Sequence, residues 1–170
     1  MRRCFSFLFI FFLVAGSAAG ADISGSLCLP GENVMFSCQI GEKVVSLCAT
    51  ADLSVDTGCL TYRFGRPGRE PELTYPSKPT HPKDAFCYAY SGYSKGSTQE
   101  LAFDIGDYTY TVHIDNHAFR GSASGIVIEK NGKRVAYLKC NVPDPNDRLY
   151  ELTKKGMTVH EPRHLGTPPP

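Results

Sequence analysis

The chain has 170 residues, with 18 Lys and Arg against 17 Asp and Glu, a net charge of +1 and no tryptophan. So even a balance supplies no broad cationic field, which excludes binding to nucleic acid or anionic lipid through bulk charge.

Arg2 and Arg3 precede an apolar run over residues 4–14 and then the small residues Ala19, Gly20 and Ala21. This order predicts an export signal over residues 1–21, cleaved after Ala21. The apolar run is about eleven residues, short of the roughly 20 that a bilayer-crossing helix needs, so no membrane span is expected after cleavage. Cys4 stands at the front of the run, where it cannot serve as a lipid-attachment residue. Cleavage removes Arg2 and Arg3, takes the net charge from +1 to −1, and leaves a β-domain over residues 22–157 with a proline-rich tail over 158–170. That length suits one domain burying roughly two-thirds of its chain surface.

After a polar lead-in holding Cys28 and Pro30-Gly31, residues 33–38 alternate Val34, Phe36 and Cys38 against Met35 and Ser37, a strand pattern. Residues 43–49 form its return strand, and 52–59 are turn-rich. A third strand over 60–64 alternates Leu60, Tyr62 and Phe64 with Thr61 and Arg63. Five prolines between Gly65 and Lys83 leave room only for a short edge strand near 72–75. Residues 85–90 read as a further strand, and 98–104 with 108–114 as a hairpin closed at Ile105-Gly106-Asp107.

The strongest local signal is 125–140, GIVIEKNGKRVAYLKC, in which Asn131-Gly132 lies between two apolar runs. Both central residues of a type I′ turn need positive φ, which Asn and Gly reach at low cost. A regular two-residue loop pairs Lys130 with Lys133, Ile128 with Val135 and Ile126 with Tyr137 on one face, and Val127 with Ala136 and Glu129 with Arg134 on the other. The only helical candidate in the mature chain, 147–155, is short. The tail beyond Cys140 holds six of the twelve prolines, and disorder is expected from about 158. These elements predict an all-β fold, a single antiparallel β-barrel or sandwich of about eight short strands.

Cys28, Cys38, Cys48, Cys59, Cys87 and Cys140 remain after export, an even number that predicts three disulfides without choosing among the pairings. A turn at Gly41-Glu42 sets Cys38 opposite Val45 and Cys48 opposite Met35, which keeps those two cysteines apart. At least one of them is therefore expected to reach Cys140. The regular spacing of Cys28, Cys38 and Cys48 lacks the close pairs typical of zinc sites. The absence of an Asn-x-Ser/Thr sequon leaves nothing pointing to a glycosylating secretory route, and a bacterial periplasm fits.

His113, Asp115 and His117 share one side of a strand at a spacing of two, as metal ligands would, yet His113 shares that face with Thr109 and Thr111 and reads as solvent-facing. His160 and His164 have ligand-like spacing in a tail read as disordered. Glu100, Asp104 and Asp107 could supply a glycosidase pair but lie near a turn, where acids are ordinarily solvated. No catalytic residue, cofactor or metal ligand is assigned. The stretch 115–124, DNHAFRGSAS, reads as a loop in which Phe119 and Arg120 are the residue types that anchor interfaces, unless Phe119 folds back onto the core. Tyr88, Tyr90 and Tyr93 beside Lys95 form a second aromatic cluster.

The segments ENVMFSCQIGEKVVSLCA at 32–49, LTYRFG at 60–65 and GIVIEKNGKRVAYLKC at 125–140 resemble small secreted proteins of Gram-negative bacteria, a likeness that implies location and no activity. A looser likeness is to the periplasmic and membrane-bound C-type lysozyme inhibitors, small disulfide-tied antiparallel barrels. It rests on residues 36–38, the GSASG run with Ser122 and Ser124, and Lys130 or Lys133. That family ties an early strand to a late Cys and inserts a Ser-Gly loop and a Lys-bearing hairpin into the lysozyme cleft. The resemblance implies a periplasmic or secreted binding protein, an inhibitor or protective factor against a cell-wall-degrading enzyme, with Ser122, Ser124, Lys130 and Lys133 toward the partner, beside the Phe119 and Arg120 that residue type marks as interface anchors. An envelope enzyme acting on glycan or peptidoglycan and a metal-binding envelope protein are the other readings.

Overall fold

Asn131 and Gly132 adopt φ of 50° and 73°, and the turn they form joins two antiparallel strands. The computed structural model describes residues 25–142, 144 and 147–164. The predicted signal over 1–21 and the end of the tail, 165–170, lie outside the described residues.

Among the described residues ten strands form two sheets. The first has β1 (Asn33–Ile40), β2 (Lys43–Ala49), β3 (Leu60–Gly65) and β4 (Leu73–Tyr75) in that order. In the second, β5 (Cys87–Tyr93), β6 (Gly96–Ile105), β7 (Tyr108–His117), β8 (Gly121–Lys130) and β9 (Lys133–Lys139) run consecutively, and β10 (Val159–His160) lies beside β5. Pairing is antiparallel except between β10 and β5, which are parallel. Neither sheet closes on itself. A four-residue helix, Pro82–Ala85, precedes β5, and the segment read as a short helix is a 3-10 helix, Leu149–Lys155.

The apolar positions of the alternating strands meet in one core. Phe36, Leu47 and Tyr62 come from the first sheet, and Leu101, Phe103, Val112 and Ile126 from the second. Tyr62 and Phe103 rings approach to 4.9 Å, and Tyr75 stacks on Phe103 at 4.3 Å. Leu149 and Leu152 of the 3-10 helix are fully buried in the same core. Each such side chain contributes about 1.5–3 kcal/mol.

The first hairpin keeps the expected partner for Cys38, which faces Val45, but a bulge at Met35 puts Val34 opposite Cys48. Cys38 bonds to Cys140, joining β1 to the end of β9 across the two sheets, as expected for one of the pair. Cys48 bonds to Cys28 and pins the lead-in. The third predicted bridge does not form: Cys59 and Cys87 are thiols. Their neighbours Leu60, Phe86 and Tyr88 face the core, so alternation turns Cys59 and Cys87 outward beside different sheets.

Three other expectations need correction. A bulge between Ile128 and Glu129 leaves Val135 unpaired and 56 % exposed, and moves the hairpin register by one from there on. Leu138, rather than Tyr137, then faces Ile126, and Tyr137 passes to the other face opposite Val127. The stretch 115–124 is mostly strand, with only Ala118 to Arg120 outside β7 and β8. The described part of the tail is ordered as far as His164: Val159–His160 pairs with β5, and the Arg163 and His164 amides bond to Glu100. Among the described residues no helix is long and apolar enough to cross a membrane.

Candidate functional site

Alternation gives the second sheet an inner, apolar face and an outer face bearing Thr98 and Glu100 of β6, Thr111, His113 and Asp115 of β7, and Glu129 of β8. A polar outer face ordinarily meets water. Here Thr98, Glu100, Thr111, His113 and Asp115 are all buried, because the chain returns over them. Pro162 is buried, and the residues after it bring Arg163 and His164 onto Glu100. From the other side Tyr137 covers Gly125, the cross-strand partner of His113. A Cβ at Gly125 would stand 2.7 Å from the Tyr137 ring and 2.6 Å from the Leu138 carbonyl, so only glycine lets the ring lie there.

Glu100 is the hub of this layer. Its Oε1 lies 3.2 Å from His113 Nδ1 and 2.8 Å from His164 Nδ1, and accepts from the His164 amide at 2.9 Å. Its Oε2 accepts from the Arg163 amide at 2.7 Å. Burial alone pushes the Glu100 carboxyl up; the bonds from His113, the Arg163 amide and His164, with the His164 charge, outweigh it and hold the group below the usual carboxylate range. On the far side of His164, Nε2 is 3.7 Å from Glu129 Oε1. Four buried atoms of the described residues have no hydrogen-bond partner, and three of them belong to this outer layer: Thr111 Oγ1, His113 Nε2 and the Tyr137 hydroxyl.

The His113, Asp115 and His117 set is not brought together. Asp115 instead accepts from the Tyr93 hydroxyl and from Thr98 Oγ1. His117 Nδ1 accepts from the Phe119 and Arg120 amides at 3.1 and 3.2 Å. His113 is fully buried rather than solvent-facing. Nor do Glu100, Asp104 and Asp107 make a glycosidase pair. Glu100 is buried and engaged by four contacts, while Asp104 is exposed four residues along β6, about 13 Å at the strand rise.

The second distinctive place is the end of the sheet where the β5–β6 and β7–β8 turns adjoin. The Ala118 amide donates to the Lys95 carbonyl at 2.8 Å, and Lys95 Nζ sits 4.4 Å above the Phe119 ring. Phe119 does not fold back: it is 74 % exposed. Arg120 engages the Tyr93 hydroxyl, which Asp115 also holds; burial raises the Tyr93 phenol first, Asp115 adds to it and Arg120 opposes. Tyr88 is in the core and Tyr90 packs on Tyr150, so the tyrosine cluster is divided among three settings.

The residues expected to face a partner are divided as well. Phe119, Arg120 and Ser122 share this end, but the Ser124 side chain is buried, because its position alternates onto the core side with Ile126. Lys130 and Lys133 flank the turn at the opposite end of β8, about 30 Å from Gly121 at the strand rise, with Lys130 over the Tyr108 ring.

No family model matches the chain, and no curated protein or solved structure matches it. Fold and site define a disulfide-braced β-protein of two sheets, and its two bridges fit an oxidising, extracytoplasmic compartment.

Proposed function

We propose that the protein is an exported binding protein, periplasmic or secreted, that inhibits or blocks a cell-wall-degrading enzyme through the end of the sheet carrying Phe119. The observation that carries this reading is the 74 % exposure of Phe119 on a turn that hydrogen bonds hold in place on two sides. A large aromatic left in water by a stiff support loses little entropy on docking, and such residues dominate interface energetics. Lys95 and Arg120 beside it add positive charge. Glycosidase clefts present two carboxylates, so an aromatic tip flanked by cations is complementary to them.

The test is inhibition of muramidase activity on cell-wall suspensions by the purified mature protein, over a panel of secreted lysozymes. Inhibition is expected for at least one enzyme. Phe119→Ala should weaken the complex by about 30-fold, the loss of a hot-spot residue near 2 kcal/mol. Lys130→Ala with Lys133→Ala, at the remote end, should leave it unchanged. Absence of binding across the panel, or an affinity indifferent to Phe119→Ala, rejects the reading.

A further inference from the structure

We propose that Glu100, His113 and His164 form a binding site for one divalent transition-metal ion of the zinc class. Each offers a ligand atom within 4.8 Å of the other two. Two imidazole nitrogens and one carboxylate are a donor set that zinc accepts with three protein ligands and one further position. Glu100 Oε1 lies 3.2 Å from one imidazole Nδ1 and 2.8 Å from the other. With metal–ligand bonds of about 2.0–2.1 Å, adjacent corners of a tetrahedron stand roughly 3.3 Å apart, near both Glu100 distances, and the third edge, between the two imidazoles, is within 4.8 Å.

The second support is independent of that triad's spacing. His113 is fully buried and its Nε2 has no partner, while Thr111 Oγ1, two residues away on the same face, and the Tyr137 hydroxyl, over the neighbouring Gly125, are also unpartnered. The layer thus holds more hydrogen-bonding capacity than the protein itself uses, the signature of a buried site built for a polar guest. Metal-bound imidazoles commonly donate their second nitrogen to a nearby oxygen, and Thr111 Oγ1 and the Tyr137 hydroxyl are unpartnered oxygens on this face. Cys28, Glu32 and Cys48 also cluster, but the two sulfurs are bonded to each other and Glu32 is held by Arg63.

Glu100 and His113 lie on adjacent strands, and His164 comes from the C-terminal segment. A bound ion would therefore fasten that segment to the sheet. It would stand to the second sheet as the Cys28–Cys48 bridge stands to the first.

The experiment uses the mature, disulfide-bonded protein with Cys59 and Cys87 alkylated and metal stripped by chelating resin. Zn2+ is titrated by calorimetry, and Co2+ by the visible absorption of a tetrahedral complex. One ion per chain is expected for the parent and for His160→Ala, which alters an exposed histidine of the same segment. His164→Ala should weaken Zn2+ binding by more than about 10- to 100-fold, the loss typical of outer partners alone. Glu100→Gln is the second variant, and unchanged circular dichroism shows that either is folded. No Zn2+ or Co2+ uptake by the alkylated parent overturns the proposal, as does equal affinity in a folded His164→Ala or Glu100→Gln protein.

Discussion

Both sheets have a terminal segment laid over their outer face, and both segments meet a buried charge there. On the first sheet the lead-in brings Glu32 to Arg63 in a two-pronged pair at 2.6 and 2.9 Å, and the Leu27 amide to Ser46 Oγ at 2.9 Å. On the second, residues 163 and 164 close over Glu100. The Glu32 carboxyl is pushed up by burial and brought below its usual range by Arg63 and the Leu29 amide, much as histidines and amides act on Glu100. The difference lies in the fastening. Cys28–Cys48 ties the first segment covalently, and the second is held without a covalent tie, by Glu100 and by the β10–β5 pairing. A polar outer face can thus be as enclosed as a core when a chain terminus supplies its counter-groups, and the strength of the closure then rests on very few residues.

The sharpest way to test the covalent half is to remove each bridge. Cys38→Ser with Cys140→Ser opens a loop of 102 residues and should cost about 4–5 kcal/mol in urea unfolding, because the unfolded chain gains the freedom the bridge had removed. Cys28→Ser with Cys48→Ser opens a loop of 20 residues and should cost about 3 kcal/mol by the same measurement. Its signature should be early loss of amide protection around Leu27, with the second sheet untouched.

On the non-covalent half, Glu100→Gln should cost about 1–3 kcal/mol at neutral pH by loss of charged hydrogen bonds in a buried setting. The Glu100 carboxyl is depressed in the folded protein, so the unfolded chain binds the proton first as pH falls. Its contribution is full above the ordinary value of 4.5 and disappears as pH drops through the lower folded value. The gap between parent and Glu100→Gln should accordingly narrow below about pH 4.5 in denaturation curves taken across pH. Asp147 is the opposite case: burial, with help from Asp144, lifts its carboxyl above the ordinary value although the Leu149 amide and Gln99 bond to it. Its folded state favours the proton, so its contribution fades as pH rises through the raised value, and Asp147→Asn should stabilise the neutral protein by up to about 1 kcal/mol. The smallest effect is expected of Tyr137→Phe, which removes a buried hydroxyl without a partner and should change stability by less than about 0.5 kcal/mol in the metal-free protein.

How far the sequence reached can be followed along the second sheet. Asn131-Gly132 marks its turn because that backbone demands those residues, and the alternation of Leu101, Phe103, Val112 and Ile126 marks its inner face. The same alternation misplaced His113. Thr109, Thr111 and His113 are polar, and part of what buries His113 arrives from about fifty residues downstream in a segment whose prolines argue for disorder. Its order comes from tertiary partners for its amides, which local pattern does not encode. Glu100 carried a faint signal, an acid in mid-strand flanked by Gln99 and Leu101, but nothing local to pair it with His164. Tyr137 was lost to a bulge, since one unpaired residue reverses every later side chain. Lys130 and Lys133 were grouped with the 115–124 stretch only by resemblance, and the ten-residue β8 puts Lys130 at the end opposite Phe119.

The two-residue strand at Val159–His160 has an effect out of proportion to its length. It occupies the open flank of β5, while the opposite flank at β9 is roughened by the Val135 bulge and by Lys133, Arg134 and Lys139. Unpaired flanks recruit other chains, and charge or irregularity is the usual deterrent. Proteolysis ahead of Val159 would leave the β5 edge at Tyr88 and Ala89 unpaired, and faster aggregation of the cleaved protein, followed by light scattering, is the expected outcome.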